Sequence, residues 1–317
     1  NPPEFEQTLT GYTFFWKQEK IAIVISNLSY KHDSLKGEVR VKTSLPGYNE
    51  HLHQANFNFS STRAKTDLVR TLSNICEEIQ WDMLIEQLRV KVLGLYREGE
   101  PVEIINSKDE ISNINYILFP LIPENLLTLI YGEGGTGKST LALFLSLLIQ
   151  SQDVSGYNFS LNEKPHKILY LDWETDKNTV NRQYKKLCNG LGKESHLFYR
   201  RCNISLVQDV ANIKEHISKL NTDILIIDSV GIACGGDMNE AQTANLLTLA
   251  LRSLQTTNFL ISHTSKDRTN KKTPFGSVYF YNNARNIFEV KKIQAEDENE
   301  INIGLFHRKS NYSKLYN

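Results

Sequence analysis

The apolar residues follow two different patterns in the two parts of the chain. Up to residue 115 the patterns are mixed, with an apolar run at 21–25, an alternating stretch around Val39 and Val41, and then two stretches at helical spacing. The apolar faces of these two predicted helices are marked by Leu68, Leu72, Ile75 and Ile79, and by Leu84, Leu88, Val92 and Leu95. Asp82 is placed to cap the start of the second helix. Residues 1–115 are therefore predicted to form a small α+β domain of unknown role.

From residue 116 onward, apolar runs of strand length alternate with amphipathic stretches of helical length. Strands are predicted at 126–131, 167–173, 197–202, 223–229, 258–263, 285–291 and 301–307. Helices are predicted at 138–151, 177–190, 209–220, 239–256 and about 276–284. This alternation is typical of a parallel sheet covered by helices. We therefore predict an α/β domain over residues 116–317, with a mostly parallel sheet flanked by helices.

The composition is that of an ordinary soluble protein. The 317 residues are 40% hydrophobic and carry 36 basic and 36 acidic side chains, so nucleic acid could bind only at a local patch. No apolar run is long enough to span a bilayer, and the start carries no signal-peptide pattern, so we expect a cytoplasmic protein with no membrane partner. Four widely spaced cysteines exclude a zinc ribbon and favour buried reduced thiols, at Cys76, Cys188, Cys202 and Cys234.

The segment 132–140 carries the most specific chemical signal in the chain. It matches the P-loop pattern, Gly-x4-Gly-Lys-[Ser/Thr], at every fixed position, with a β-prone run before it and a helical stretch after it. In such a loop, backbone N–H groups bind phosphate oxygens, Lys138 reaches the β- and γ-phosphates, and the Ser139 hydroxyl holds Mg²⁺. ATP with Mg²⁺ is therefore predicted to bind at Gly132, Glu133, Gly134, Gly135, Thr136, Gly137, Lys138, Ser139 and Thr140.

An acidic residue ends the hydrophobic strand predicted at 223–229. This residue, Asp228, has the properties of a Walker B aspartate, which holds Mg²⁺ through water at the end of a strand beside the P-loop. Hydrolysis also needs a group that orients or deprotonates the attacking water. The next residue is Ser229 rather than Glu, so the Asp-Glu pair of AAA+ proteins is absent and the base must come from another strand end.

Two other strand ends supply polar candidates. Asp172 and Glu174 lie where the strand at 167–173 should emerge, and by the period of two they should project in the same direction. Glu174 lies nearer the end and is our choice for the base, with Asp172 as the second choice. His263 ends the strand at 258–263 and either senses the γ-phosphate or has a structural role.

These motifs resemble those of the RecA-like ATPases and, within them, the RepA-type hexameric helicases. The segment YLDWETD looks like the RecA-type strand whose Glu is the catalytic base, and this position is Glu174. The segment ILIIDSV matches the Walker B strand of the family at Asp228. The segment ISHTSKD resembles the one that carries a phosphate-sensing histidine, which falls on His263.

Two further segments resemble parts of the family that act on a neighbouring subunit. GSVYFYNNARNIFEV resembles the stretch with an arginine finger that reaches the neighbour's ATP, and Arg285 matches it. FHRKSNYS looks like the last strand, where a Lys often faces the neighbour's nucleotide, and Lys309 matches it. Asn311 stands where DnaB-type members place an Arg. The resemblance covers about 120–315 and implies a RecA-like fold and a ring or filament of identical subunits with ATP at their interfaces.

The resemblance also points to a nucleic-acid contact, because two loops line the central channel of RecA-like rings. The second corresponds to 264–273, which holds four cations against one acid and no aromatic residue. Such a loop suits sequence-independent phosphate contact, although it would also serve as an ordinary solvated surface loop. The candidate contacts to single-stranded DNA or RNA are Lys266, Arg268, Lys271 and Lys272.

Two hypotheses of different class follow. The first is an ATP-driven nucleic-acid motor, a helicase or recombination-like protein that hydrolyses ATP with Mg²⁺. The second is an ATP-switched oligomeric assembly or signalling protein that does not translocate, which the neutral net charge and the unassigned N-terminal domain allow.

Overall fold

The structure is a computed structural model that describes residues 2–99, 102, 104–106, 113–264, 278–293 and 302–316. The chain divides into two compact units, Asn1–Glu110 and Ile111–Asn317. Each unit has its own apolar core.

The N-terminal unit is a five-stranded antiparallel sheet followed by two helices, as an α+β fold predicts. The strands pair in chain order: β1 (Glu4–Thr8), β2 (Gly11–Trp16), β3 (Ile21–Lys31), β4 (Ser34–Thr43) and β5 (His51–Asn58). The helices are α1 (Thr62–Ile75) and α2 (Trp81–Glu98). One core joins alternate residues of β2, β3 and β4 to the apolar faces of both helices.

Two local predictions for this unit are wrong. Helix α1 ends at Ile75, where the N–H of Cys76 donates to the carbonyl of Leu72, so Ile79 lies outside the helix although it continues the spacing. Asp82 does not cap α2, whose N-cap residue makes no side-chain bond. Its carboxylate instead lies 3.0 Å from the ammonium of Lys65 on α1, so it ties the two helices together.

The second unit contains a mostly parallel seven-stranded sheet flanked by helices, which confirms the predicted fold class. Its strands are β6 (Tyr116–Phe119), β7 (Ile122–Pro123), β8 (Leu127–Gly132), β9 (Ser160–Leu161), β10 (Ile168–Asp172), β11 (Phe198–Arg201), β12 (Ile224–Asp228), β13 (Thr257–His263), β14 (Asn286–Ile293) and β15 (Asn302–Ser310). Its helices are α3 (Lys138–Ser151), α4 (Lys177–Leu191), α5 (Leu206–Leu220), α6 (Val230–Ala233), α7 (Ala241–Ser253) and α8 (Val278–Asn283).

The strand order decides which side chains meet. The large sheet runs β11-β10-β12-β13-β8-β14-β15, with β15 alone antiparallel to its neighbour, and β6, β7 and β9 form a separate small sheet. Strands β10 and β12 are buried along their whole length, as the central strands of a parallel sheet are. Strand β13 lies between β12 and β8, so the Asp228 strand is two strands away from the P-loop strand.

The carboxyl ends of β8, β10, β12 and β13 lie at one edge of this sheet, where ligands of open α/β sheets bind. Within the part of the chain that the structure describes, no helix combines the length and the apolar character needed to span a bilayer.

Candidate functional site

The P-loop connects the end of β8 to the start of α3, and its glycines have distinct roles. Gly135 and Gly137 have φ values of 75° and 84°, in the left-handed region that favours glycine. A Cβ on Gly132 would lie 2.4 Å from the carbonyl oxygen of Val290, so a larger residue would separate β8 from β14. A Cβ on Gly134 would meet nothing within 4 Å, which leaves the loop backbone open to a ligand.

Lys138 is buried at the centre of this loop. Its ammonium donates to the carbonyl oxygens of Gly132 at 2.9 Å and Glu133 at 2.8 Å. Burial lowers the pKa of Lys138, while the nearby carboxylates of Asp228 and Glu174 oppose that shift. Neutral carbonyls do not compensate the charge of a buried ammonium, so the loop suits an anionic ligand such as a phosphate.

Asp228 ends β12 with its two carboxylate oxygens in different surroundings. Oδ2 accepts a hydrogen bond of 2.5 Å from the hydroxyl of Tyr170, whereas buried Oδ1 has no partner among the described residues. Burial raises the pKa of Asp228, and the hydroxyls of Ser139 and Tyr170 counteract this. A buried carboxylate oxygen without a donor, beside a hydroxyl at the start of α3, fits a hard divalent cation such as Mg²⁺.

Glu174 lies in the turn after β10, beside groups from two other strands. Its Oε1 accepts a hydrogen bond from the hydroxyl of Ser229, which follows β12. The same oxygen lies 3.3 Å from Nε2 of His263, at the end of β13. The structure therefore brings together Glu174 and His263, which sequence reasoning had placed on separate strands.

Asp172 has a different environment from Glu174. It is 1% exposed, and its carboxylate accepts bonds of 2.8–2.9 Å from the backbone N–H groups of Glu174 and Thr175 and from the hydroxyls of Thr175 and Tyr199. These four bonds hold the turn that presents Glu174. Because β10 ends at Asp172, the expectation that Asp172 and Glu174 project in the same direction along one strand is wrong.

Arg285 lies at the opposite edge of the sheet. Its N–H donates to the carbonyl oxygen of Leu127 at 3.3 Å, beside the start of β8, whereas the P-loop begins at Gly132. Five residues of strand separate these positions by about 16 Å, which an arginine side chain does not cover. Arg285 and Arg252 line a cavity of about 600 Å³ whose described lining contains no acidic residue.

Lys309 makes contacts that differ from the role implied by resemblance. Its ammonium donates to the carbonyl oxygens of Tyr281, Asn282 and Ala284 at 2.8–3.0 Å, at the end of α8. Burial lowers the pKa of Lys309, and the charge of Arg285 adds to this shift. The last carbonyls of a helix attract a cation, so Lys309 is engaged within its own chain rather than free to face a neighbour's nucleotide.

The four basic residues predicted to contact nucleic acid lie outside the described residues, so their contact remains a prediction. They are Lys266, Arg268, Lys271 and Lys272.

Comparison with known proteins defines the family. A sequence profile of the AAA_25 family, described as an AAA domain, matches residues 96–269, which is more than half of the chain. The chain belongs to this AAA-domain family. The match includes the P-loop, Glu174, Asp228 and His263 and ends before Arg285. With its sheet and motif order, the unit is a RecA-like P-loop ATPase domain.

The chain matches only part of the length of the similar curated proteins. The DNA repair protein RadA of Chlamydia pneumoniae is 32% identical over 149 residues, which are 44% of this chain and 28% of that protein. RadA of Chlamydia muridarum is 31% identical, also over 149 residues that make up 44% of this chain and 28% of that protein. The chain thus spans about a quarter of these relatives.

Among solved structures, a KaiC-like protein of Pyrococcus horikoshii is 16% identical with a TM-score of 0.43. The similarity covers 63% of this chain and 86% of that one.

Sequence reasoning missed three hydroxyls around the acids. Tyr170 and Tyr199 lie within predicted strands and were assigned no role, and Ser229 was noted only because it is not Glu. A tyrosine within a buried aliphatic strand needs a hydrogen-bond partner for its hydroxyl, and this is the signal that could have drawn attention to Tyr170.

Proposed function

We propose that this protein binds ATP with Mg²⁺ at the P-loop, hydrolyses it as a homo-oligomer, and couples hydrolysis to single-stranded nucleic acid. The observation that carries the proposal is the cluster at one sheet edge, where Glu174, Ser229 and His263 meet beside the P-loop and Asp228. A RecA-like fold places nucleotide chemistry at this edge.

The P-loop and its helix would bind the phosphates. Backbone N–H groups of 134–139 and the start of α3 face the anion, and Lys138 contributes its ammonium. Ser139 and Oδ1 of Asp228 would hold Mg²⁺, directly or through water. Bound Mg²⁺ would neutralise charge on the phosphates during transfer of the terminal one. The buried Asp228 carboxylate contributes the negative charge that balances the cation.

Glu174 would orient the attacking water and accept its proton. Ser229 and His263 both contact Oε1, so Oε2 is the oxygen that can receive a proton from water. Asp172 holds the turn that carries Glu174, and its own lone pairs are occupied by donors. His263 lies between Glu174 and the P-loop edge, where its ring can respond to the terminal phosphate.

Arg285 would act on the nucleotide of a neighbouring subunit, because its own P-loop is at the far edge of the sheet. We expect Arg285→Ala to bind ATP and to lose turnover. Mixed with Lys138→Ala, which keeps Arg285 but lacks a working P-loop, it should regain part of the wild-type rate. ATPase rates of the two variants alone and in mixtures measure this. If no mixture has an ATPase rate above the sum of the rates of the two variants alone, action of Arg285 in trans is rejected.

The nucleic-acid part of the proposal is supported by the basic segment and by relatives named as DNA repair proteins. We expect single-stranded DNA to stimulate the ATPase, and Lys271→Ala/Lys272→Ala to weaken DNA binding and reduce its salt dependence, because phosphate contacts release counterions. Lys185→Ala/Lys186→Ala on the exposed face of α4 is the control with the same charge change.

The motor hypothesis would be contradicted if single-stranded DNA does not stimulate the ATPase and Lys271→Ala/Lys272→Ala binds DNA as the wild type does. If size-exclusion chromatography then shows a ring that forms with ATP alone, the alternative of an ATP-switched assembly is favoured.

A further inference from the structure

The Asp228 carboxylate depends on a tyrosine from the neighbouring strand. Tyr170 is 1% exposed in the middle of β10, and it pairs in register with Ile226 of β12. Asp228 is two residues beyond Ile226, so the two side chains lie on the same face of the sheet. The diagonal distance between such positions is about 7–8 Å, which a tyrosine side chain spans. Its hydroxyl donates to Oδ2 of Asp228 at 2.5 Å.

This hydrogen bond makes the two oxygens of Asp228 unequal. With Oδ2 bonded to Tyr170, the oxygen without a donor among the described residues is Oδ1. The Ser139 hydroxyl lies near both Asp228 and Tyr170, since it influences the pKa of each. The carboxylate therefore cannot rotate freely about its last bond without losing a charge-assisted hydrogen bond in a buried site.

We propose that Tyr170 is a positioning residue for the metal site, whose hydroxyl fixes the Asp228 carboxylate so that Oδ1 is presented towards Mg²⁺. This inference rests on the proposed function, since it concerns the same nucleotide site. A ring that only fills the core would pack equally well as phenylalanine. The Tyr170 hydroxyl forms a hydrogen bond, and its acceptor is Asp228, the acid proposed to hold the metal.

A second tyrosine provides a matched control. Tyr199 on β11 stacks on Tyr170 with ring centroids 6.5 Å apart, and its hydroxyl donates to Oδ2 of Asp172 at 2.9 Å. Tyr199→Phe and Tyr170→Phe remove the same atom from adjacent rings. Only Tyr170 contacts Asp228, so the two variants separate an effect on the metal from a general effect of losing a hydroxyl.

The test is the Mg²⁺ dependence of the two variants. For Tyr170→Phe, we expect the Mg²⁺ concentration at half-maximal turnover to rise by roughly 10-fold, the order expected for one hydrogen bond to a charged group. Mn²⁺ affinity in the presence of ADP, measured by electron paramagnetic resonance, should fall in parallel. Affinity for a fluorescent ADP in EDTA should be unchanged. Tyr199→Phe loses a bond to Asp172 rather than to Asp228, so its maximal rate is not the control readout. Its Mg²⁺ concentration at half-maximal turnover, its Mn²⁺ affinity and its ADP affinity in EDTA should match the wild type.

An unchanged metal dependence in folded Tyr170→Phe would overturn the inference, as would an equal loss of nucleotide affinity with and without metal. Asp228→Asn supplies a second check, because adding Tyr170→Phe to it should not weaken Mn²⁺ affinity further. A further loss in that double variant would show that Tyr170 does not act through Asp228. Absence of nucleotide binding and turnover in the wild type would reject the proposed function itself.

Discussion

Glu174→Gln is expected to slow ATP hydrolysis by at least about 100-fold, which is the usual contribution of a positioned base. Glutamine keeps the length and can still contact Ser229 and His263, but its amide cannot accept a proton from water. ATP affinity should stay near the wild-type value, because the hydrogen bonds that the structure describes for the Glu174 carboxylate go to Ser229 and His263 and not to the P-loop backbone. Single-turnover hydrolysis and equilibrium binding of a fluorescent ATP analogue measure the two quantities.

Asp172→Asn is the matched control for that variant. The same charge is removed two residues away, but from a buried carboxylate that accepts four hydrogen bonds. We expect a lower free energy of unfolding and a moderate loss of rate through the displaced turn. If Glu174→Gln keeps full turnover while Asp172→Asn removes it in a folded protein, the base is Asp172 rather than Glu174.

The parallel domain could be predicted closely because its strands are buried on both faces. Such strands are continuous apolar runs bounded by polar residues, as β10 and β12 show, and the helices between them have a clear apolar face. The helix predicted at 209–220 begins three residues earlier, because a capping hydroxyl marks its start and apolar spacing does not show such a cap. The Ser205 side chain accepts the N–H of Gln208, and α5 begins at Leu206.

Strands with exposed or very short sequences could not be predicted in this way. All five residues of β1 are exposed, so they show no alternation, and β7 and β9 have two residues each. Their pairing is set by contacts with distant parts of the chain. The same limit explains Ile79, because apolar spacing continues across the turn that ends α1 and cannot show where the hydrogen-bond ladder stops.

The residues of the candidate site also differ in how well the sequence predicts them. The P-loop is contiguous, so its pattern can be recognised directly from the sequence. The contact of Glu174 with Ser229 and His263 depends on the order of β10, β12 and β13 in the sheet, which residue spacing does not determine. Lys309 shows the opposite case, in which a matching position has a different local role because the end of α8 supplies three carbonyls.

Lys138→Ala is expected to have the other large effect, a loss of turnover of roughly 10²–10³-fold or more, together with much weaker ATP binding. The ammonium is the positive charge of the loop, and the negative charges of Asp228 and Glu174 act on it by opposing the lowering of its pKa by burial. Without it, two acids would face an incoming triphosphate with no compensating side chain in the loop, and electrostatic repulsion would be strong in a buried site.

The loss should be specific to this lysine. Lys177→Ala removes the same charge from the exposed start of α4, close along the chain to Glu174, and should leave ATP affinity and turnover near the wild-type values. Lys138→Ala should also unfold at a temperature similar to the wild type, because both carbonyl oxygens that lose the ammonium keep other donors. The N–H of Thr264 donates to Gly132, and the N–H and hydroxyl of Thr136 donate to Glu133. Equilibrium binding, steady-state hydrolysis and thermal unfolding of both variants decide the point. If Lys138→Ala binds and hydrolyses ATP as the wild type does, phosphate binding by this loop is wrong, and the proposed roles of Asp228 and Glu174, which depend on a nucleotide in that loop, are wrong with it.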